Sequence, residues 1–419
     1  MATQAYHVRV RESGPGGLGA AERWCVRQAL HALGNPPFTL VAWTGEEFAP
    51  RGAPPQGRLL LCERPRLRDL AEGPDGLLAN AYVEGRVEVD GDLARLVETA
   101  FRASERSPRW VRAAAALAGL RPRIATHRGA RRNARHHYDL GNDFYALWLD
   151  ERMVYTCAYF PSPAASLEEA QLAKLEHVCR KLRLRPGESV VEAGCGWGAL
   201  ALHMAERFGV RVQAFNVSAE QMRFAREQAR ARGLADRVDF VEEDWREIRG
   251  RYDAFVSIGM LEHVGRSRYA ELGRVIARCL APHGRGLLHF IAHPSPIPMN
   301  PWLERHIFPG AYIPALSEAL AVLESQTFAP VDVENLRRHY VRTLEHWLER
   351  FEKAAPRVRS MLDERFERMW RLYLASSLAA FRSGSCQLYQ VLFAHQDDER
   401  FPWTREWIYR GADAPEAGV

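Results

Sequence analysis

Apolar and polar positions follow two different periods between Ser189 and Ala292. Short apolar runs predict strands, and longer segments with an apolar residue every three to four positions predict helices. In chain order the predicted elements are strand Ser189–Ala193, helix Ala199–Phe208, strand Val210–Phe215, helix Ala219–Ala231, strands Arg237–Val241 and Asp253–Ile258, helix Tyr269–Leu280 and strand Gly286–Ala292. Strands that alternate with helices in this way predict a parallel sheet that is covered on both faces.

The pattern beyond Val331 is mostly helical. Apolar stripes with helical spacing run from Leu344 to Phe351 and from Phe366 to Leu374, and such stripes are typical of helices that pack on a core. Cys386–Ala394 then predicts a last strand that returns to the sheet.

The first hundred residues predict a separate small domain. They are rich in Gly and Pro, and strand-like segments lie at Phe38–Trp43, Arg58–Cys62 and 85–91. We therefore expect an N-terminal α+β domain at 1–101, an arginine-rich linker at 102–135 and the α/β domain with the parallel sheet at 136–419.

The linker carries ten arginines against a single acid, Glu105. The arginines are Arg102, Arg106, Arg109, Arg112, Arg121, Arg123, Arg128, Arg131, Arg132 and Arg135. Charge of one sign suits either a solvated connector or an anionic membrane surface, where each basic residue adds about 1 kcal/mol of attraction. Nucleic acid is the competing polyanion, but no zinc-finger, RNP-like or helix-turn-helix pattern accompanies the arginines, so we do not expect it.

Composition narrows the class of protein. The 419 residues are 47% hydrophobic and 26% charged, which excludes wholesale disorder and fibrous repeats. The seven cysteines are scattered and never form a CxxC pair, which argues against a disulfide framework or a bound metal such as structural zinc. Met1–Val10 lacks the apolar run of a secretory signal, and the uncharged stretch Gly286–Leu303 contains four prolines. We therefore expect a cytoplasmic protein that is peripheral to any membrane it uses.

A glycine-rich loop follows the first strand of the predicted parallel sheet. Gly194, Gly196 and Gly198 allow a sharp turn and a close approach to a ligand, where a Cβ would clash. A dinucleotide site would place its third glycine three residues after the second, and a pyrophosphate would favour the bare helix N-terminus. The G-x-G-x-G spacing, with Glu192 two residues ahead to face a cationic sulfonium, favours S-adenosylmethionine.

Further polar residues follow the next two strands. Asp244 and Trp245 suit an adenine, with a carboxylate for its exocyclic amine and an indole for stacking. An acid that binds ribose is usual at the end of the second strand. This chain has Phe215-Asn216 there, so hydroxyl contacts are expected from Asn216 and Gln221 or from elsewhere.

Four motifs occur in a specific order along the chain. They are Tyr138–Tyr145 (YDLGNDFY), Tyr155–Phe160 (YTCAYF), Gly194–Gly198 (GCGWG) and Leu261–Gly265 (LEHVG). From about residue 127 to 394 the chain thereby resembles the cyclopropane fatty acid synthases, S-adenosylmethionine-dependent enzymes with relatives that act on mycolic acids. The resemblance implies a Rossmann-like class I methyltransferase sheet with a helical lid insertion.

The resemblance also implies a reaction. A methylene group passes from S-adenosylmethionine to the double bond of an unsaturated phospholipid acyl chain, and a cyclopropane forms through a carbocation that bound bicarbonate deprotonates. The alternative product is a methylene-bearing or methyl-branched chain, and a non-catalytic binder that kept the fold is a third hypothesis. The implied partner is an anionic phospholipid membrane surface, and a homodimer stays open.

Residues matching the family's ligands fall into two sets. The bicarbonate ligands match Cys157, Glu262, His289, the backbone of Ile291, and Tyr340. The cofactor contacts match Tyr155, Thr156, Gly194, Gly196, Asn216, Gln221, Asp244 and Trp245. Thr156 stands where serine is usual, Ala292 replaces a common glycine, and Ser377 falls where many members have a cysteine.

Taken singly, two of these residues have ordinary explanations. Cys157 would be a small buried hydrophobe and His289 a core histidine. Glu262 follows a strand at the carboxyl edge of an open sheet, where such folds bind ligands, so a functional role is favoured there. Aromatic faces stabilise a carbocation, and the candidates are Tyr145, Tyr159, Phe160 and Tyr340.

Overall fold

The computed structural model describes residues 17–32, 35–50, 54–64, 73–106 and 140–409. The strands are β1 Thr39–Val41, β2 Glu47–Phe48, β3 Gly57–Leu61, β4 Val87–Gly91, β5 Ser189–Ala193, β6 Arg211–Phe215, β7 Val238–Val241, β8 Tyr252–Ile258, β9 Leu280–Ala292, β10 Phe328–Asn335 and β11 Gln387–His395. The α-helices are α1 Ala20–Ala32, α2 Gly73–Val83, α3 Leu93–Arg106, α4 Asn142–Ala146, α5 Leu167–Lys181, α6 Ala199–Phe208, α7 Ala219–Ala231, α8 Leu261–Val264, α9 Tyr269–Cys279, α10 Pro301–His306, α11 Leu316–Glu324, α12 Arg337–Met361, α13 Glu364–Ser383 and α14 Glu406–Tyr409.

These elements form two compact units. The first unit comprises the described residues within Met1–Ala118 and Ala355–Ser383. The second comprises those within Gly119–Ala354 and Gly384–Val419. The sequence prediction placed all of 136–419 in one domain. The structure divides the chain differently because α13 packs on α2 and α3 and therefore belongs with the N-terminal residues.

The first unit is the small α+β fold expected from the sequence. Its sheet has the order β2-β1-β3-β4, with β1 parallel to β3 and the other two pairs antiparallel. The Arg368 guanidinium on α13 donates to the backbone oxygens of Tyr82 at 2.6 Å and Val87 at 2.9 Å. It also pairs with Glu88 at 2.9 Å, so one side chain ties α13 to this sheet.

The second unit contains the predicted parallel sheet. Its order is β10-β11-β9-β8-β5-β6-β7, in which β9, β8, β5, β6 and β7 are parallel and β11 lies antiparallel between β9 and β10. Apolar residues of α5, α6 and α7 pack on one face, and those of α9 and α11 pack on the other. The α/β fold class is confirmed, and β10 is a strand that the sequence pattern did not predict.

Within the described residues, no helix is both long enough and apolar enough to cross a membrane.

Candidate active site

The glycine-rich loop turns sharply after β5. Gly194 and Gly198 both have a φ of 84°, which favours glycine. At Gly198 a Cβ would lie 2.7 Å from the ring of Phe240, so the helix that follows packs against the sheet without a side chain there. A Cβ at Gly196 would meet nothing within 4 Å, so the loop is open at its middle glycine.

Glu192 is the buried acid ahead of this loop. Its side chain is 2% exposed, and its Oε2 has no hydrogen-bond partner. Burial raises the pKa of the Glu192 carboxyl to about 8, against the opposing charge of Lys174. A nearby cationic sulfonium would favour the ionised form of this buried acid and would interact with its unpartnered oxygen, so the site fits S-adenosylmethionine.

Asn216 and Gln221 lie together at the end of β6. Asn216 Nδ2 donates to Gln221 Oε1 at 2.7 Å and to the Gly196 carbonyl oxygen at 3.3 Å. Ser218 caps α7 by accepting from the Gln221 backbone N–H. The two amides are therefore held beside the glycine-rich loop, where the sequence analysis expected hydroxyl contacts.

Asp244 and Trp245 share one neighbour, Arg246. The Asp244 carboxylate accepts from Arg246 Nε at 2.7 Å and from a terminal guanidinium nitrogen at 2.8 Å. The guanidinium carbon also lies 5.3 Å from the centre of the Trp245 ring. This pair fixes the orientation of Asp244, and contact with adenine stays a prediction.

Three of the four sequence motifs meet in an aromatic cluster. Trp197 Nε1 of the glycine-rich loop donates to Asn142 Oδ1 at 2.7 Å. The fully buried Tyr145 ring lies 5.0 Å from the ring of Trp197 and 5.5 Å from that of Tyr155. The fourth motif begins at Leu261, directly after Met260. Met260 lies beside the glycine-rich loop, since a Cβ at Gly194 would be 3.0 Å from its side chain.

The irregular segment Tyr155–Phe160 is held from one side by α5. Gln171 Nε2 donates to the Thr156 carbonyl oxygen at 2.8 Å, and Lys174 Nζ donates to Thr156 Oγ1 at 3.1 Å. The Thr156 hydroxyl group, which the serine usual at this position would also provide, therefore accepts a hydrogen bond from within the protein.

The same segment is held from the other side by α12. The Ala158 N–H donates to Thr343 Oγ1 at 3.0 Å, and the Phe160 N–H donates to His339 Nδ1 at 3.0 Å. Cys157, directly before Ala158, is 1% exposed, and burial raises the pKa of its thiol. A protonated, neutral thiol is the consequence, which can donate a hydrogen bond but is a poor nucleophile.

Glu262 and Ile291 are joined at the carboxyl edge of the sheet. Glu262 Oε1 accepts from the Ile291 backbone N–H at 2.7 Å, whereas Oε2 has no hydrogen-bond partner. Burial raises the pKa of the Glu262 carboxyl to about 7. The predicted ligand at Ile291 therefore has its N–H occupied by Glu262.

His289 faces the α5 side of the sheet from β9. Its Nδ1 lies 3.1 Å from Gln390 Nε2, and its Nε2 has no partner although the side chain is 2% exposed. An amide that donates to Nδ1 assigns the ring proton to Nε2. Burial, followed by the charge of Lys174, holds the pKa of His289 well below its usual value, so the ring is a neutral donor.

The aromatic candidates differ in what surrounds them. Tyr340 is 9% exposed and meets Trp347 edge-on at 5.9 Å. The Tyr159 ring is stacked between two imidazoles, with His177 at 4.3 Å and His339 at 4.6 Å. Both faces of Tyr159 are covered, so the expectation that it stabilises a carbocation is corrected.

Comparison with known proteins decides the family. The family model described as mycolic acid cyclopropane synthetase matches residues 125–391. The chain belongs to this family. The resemblance drawn from the four motifs is confirmed, and the protein is an S-adenosylmethionine-dependent methyltransferase.

Two curated relatives differ in how much of the chain they cover. A Pseudomonas putida protein named probable fatty acid methyltransferase is 34% identical over 400 residues, which is 91% of this chain and 98% of the relative. The cyclopropane-fatty-acyl-phospholipid synthase of Escherichia coli is 40% identical over 259 residues, which is 62% of this chain and 66% of the relative.

Solved structures support the same fold. Mycolic acid cyclopropane synthase CmaA1 complexed with SAH and CTAB aligns with a TM-score of 0.61 and 28% identity, over 65% of this chain and 99% of that chain. Coclaurine N-methyltransferase bound to SAH is 24% identical with a TM-score of 0.63, over 75% of this chain and 98% of that chain. The Rossmann-like class I methyltransferase fold is confirmed.

Several residues of this methyltransferase site were missed by sequence reasoning. They are Gln171, Lys174, Thr343, His339 and Gln390, which hold the predicted ligands in place. The one available signal was lysine usage, because the chain has only three lysines and two of them lie seven residues apart on α5. Ser377 lies half-buried on α13, in the first unit.

Proposed function

We propose that this methyltransferase transfers a methylene group from S-adenosylmethionine to the double bond of an unsaturated phospholipid acyl chain, which becomes a cyclopropane. The Escherichia coli relative is named for that reaction. The residues that match the family's bicarbonate ligands are all present, and the observation that carries the proposal is the state of three of them.

Cys157, Glu262 and His289 are buried polar groups that come from three different segments. Glu262 Oε2 and His289 Nε2 have no partner, and the Cys157 thiol contacts the carbonyl oxygen of its neighbour Ala158, at 3.1 Å, and the side chain of Thr343. An unsatisfied buried polar group costs roughly 1–3 kcal/mol, so a ligand that pairs with Glu262 Oε2 and His289 Nε2 would stabilise the site. The set fits bicarbonate, because thiol and imidazole donate to its oxygens while Glu262 accepts from its hydroxyl.

The reaction explains why an anion suits the site. An alkene carries no proton to remove before attack, so the protein must hold the sulfonium methyl in line with the double bond in a dry cavity. Bicarbonate, when bound, would supply a base for the proton that leaves during ring closure. The neutral thiol and imidazole bind and orient rather than remove the proton, and Tyr340 remains an aromatic candidate for the cation.

The proposed substrate lies in a membrane, so we also propose that the protein docks on the surface of a bilayer that contains anionic phospholipid. The arginines at 102–135 are the proposed contact. Arg102 lies on α3 and pairs with Glu98 at 2.7 Å. The part of the segment from 107 to 135 lies outside the described residues.

A second product class has its own support. The Pseudomonas putida relative, which covers nearly the whole chain, is named as a probable fatty acid methyltransferase. A relative from Mycobacterium tuberculosis, 33% identical over 391 residues, is named tuberculostearic acid methyltransferase. If a hydride of the chain shifts to the cationic carbon before the methyl group loses its proton, the same site yields a methylene-bearing chain. If a chain carbon loses the proton instead, it yields a methyl-branched chain that keeps a double bond.

The experiment incubates the pure protein with S-adenosylmethionine and one unsaturated acyl chain in three forms: phospholipid vesicles, free fatty acid and acyl thioester. Mass spectrometry before and after ozone treatment follows the chain. We expect a gain of one CH2 in the phospholipid and loss of ozone cleavage. A product that ozone still cleaves would favour the second class, and reaction of the free acid or thioester alone would contradict the phospholipid substrate.

A further inference from the structure

Lysine is rare in this chain and is placed unusually. Only three of the 57 lysines and arginines are lysine. Lys174 and Lys181 on α5 are 2% and 0% exposed, whereas Lys353 has a 73% exposed side chain and pairs with Glu349 at 2.7 Å. A buried ammonium group is costly unless it has a role or a partner.

The two buried lysines differ in their partners. Lys181 Nζ lies 3.1 Å from Asp332 and 2.7 Å from Glu334, so its charge is balanced by two carboxylates. Lys174 Nζ instead donates to an uncharged group, Thr156 Oγ1, at 3.1 Å. Its positive charge is therefore less fully compensated by direct contact than that of Lys181.

Lys174 lies against the segment that carries the proposed ligands. Thr156 is flanked by Tyr155, a predicted cofactor contact, and by Cys157, a proposed anion ligand. Lys174 and Gln171 both donate to Thr156 and so attach this segment to α5. Loss of the hydrogen bond from Lys174 to Thr156 would therefore affect both halves of the site, whereas a replacement that still donates to Thr156 would change only the charge.

The charge of Lys174 also reaches the proposed anion ligands. The ionisable groups that interact with it are Asp150, Cys157, Cys179, Glu192 and His289. Its charge opposes the rise in the pKa of the Cys157 thiol and lowers the pKa of His289. Burial lowers the pKa of Lys174 itself to about 8, so the ammonium form predominates at neutral pH.

The proposed anion ligands need such a charge. They comprise a neutral thiol, a neutral imidazole, a phenol, a backbone group and an acid, and none of them is positive. We propose that Lys174 is a positioning residue that holds Thr156 and supplies the buried positive charge that retains an anion of bicarbonate size beside Cys157 and His289. This inference rests on the anion site of the proposed function.

The test uses the full-length protein with sodium bicarbonate as the probe. The midpoint of thermal unfolding is measured in bicarbonate and in chloride at equal pH and ionic strength, and turnover on unsaturated phospholipid vesicles is measured against bicarbonate concentration. Lys174→Gln removes the charge but keeps a donor for Thr156, and Lys174→Arg keeps the charge. Lys353→Gln is the matched exposed control.

We expect wild type, Lys174→Arg and Lys353→Gln to show a bicarbonate-specific rise in the midpoint. Lys174→Gln should lose this rise and need about tenfold more bicarbonate for half-maximal turnover, which corresponds to about 1.4 kcal/mol. Its dissociation constant for S-adenosylmethionine should stay within about threefold of wild type. A Lys174→Gln response equal to that of wild type overturns the inference.

A measurement on the wild type covers the case in which Lys174→Gln does not fold. Because a lysine loses its charge above its pKa, the bicarbonate-specific rise should decline as the pH increases through about 8. A rise that stays constant through that range overturns the role of Lys174. A wild type with no bicarbonate-specific response contradicts the proposed anion site instead, so the two failures are distinguishable.

Discussion

Glu262 Oε1 accepts a hydrogen bond of 2.7 Å from the backbone N–H of Ile291. The bond joins α8, which follows β8, to the end of the neighbouring parallel strand β9. Carboxyl ends of parallel strands meet at one edge of the sheet, and this contact fixes the Glu262 carboxyl group there. Its second oxygen, which has no hydrogen-bond partner, is thereby held at the edge where the anion site is proposed.

The first prediction concerns the proposed anion ligands. Cys157→Ser, His289→Ala and Glu262→Ala should each slow turnover by about 100-fold or more, because assisted proton transfer contributes on that scale. Calorimetry should show nearly unchanged affinity for S-adenosylmethionine, since the three residues are not among the predicted cofactor contacts. His283→Ala, at an exposed position, is the control. Full activity in all three variants would contradict the anion site.

The second prediction concerns the pH dependence of stability. Burial raises the pKa of Glu262 from 4.5 to about 7, so the folded state holds this proton more tightly than the unfolded state. Between about pH 4.5 and 7 the stabilisation from the bound proton is lost as the pH rises, and outside that window the contribution is constant. Glu262→Gln cannot titrate, so its free energy of unfolding should decline less steeply there. The decline will not vanish, because burial raises the pKa of Glu192 as well.

Urea unfolding at several pH values measures this slope. Glu151→Gln, which changes an exposed carboxyl group, should leave the slope as in wild type. An identical slope in Glu262→Gln and wild type would show that Glu262 does not titrate as a buried acid.

Most of the second sheet could be predicted because its strands are short buried runs between glycines and helices. β10 could not be predicted, since it is an edge strand that pairs with β11 alone in the described sheet. Val331 and Val333 on it are each 41% exposed, and the register shifts between Pro330 and Asp332. Its pattern therefore lacks the buried run that marks the central strands.

The predicted site residues could be found because they lie in sequence motifs. The residues that hold them in place are scattered along the sequence and belong to no motif. Gln171 and Lys174 look like solvent-facing positions of an amphipathic helix until packing covers them. Tyr159 looked like a free aromatic face, because His177 and His339 that cover it are distant in sequence. Long-range packing of this kind leaves no local signal.

The third prediction concerns Ser377. A serine hydroxyl has too high a pKa to act as a nucleophile without an adjacent base. Ser377→Ala should therefore keep most of the turnover, measured under saturating S-adenosylmethionine. A loss of 100-fold or more, about 2.7 kcal/mol of transition-state stabilisation, would contradict this view and assign the residue a role in the reaction.

The fourth prediction concerns the arginine-rich segment. A net charge of +5 is too small to attract the whole protein to a membrane, but the arginines are concentrated locally. Replacing Arg128, Arg131, Arg132 and Arg135 by Gln should weaken co-sedimentation with anionic vesicles and leave affinity for S-adenosylmethionine unchanged. In wild type the binding should weaken steeply with salt, because screening acts over about 8 Å at physiological ionic strength. Unchanged binding in the quadruple variant would leave the segment as a solvated linker.

The central claim is that the transferred methyl group itself loses a proton and closes a ring on a phospholipid acyl chain. Its most direct test supplies S-adenosylmethionine with a fully deuterated methyl group, together with vesicles of an unsaturated phospholipid, and reads the deuterium content of the acyl product by mass spectrometry. The account predicts two deuterium atoms in a chain that ozone no longer cleaves. Three retained deuterium atoms, or a chain that ozone still cleaves, would contradict it.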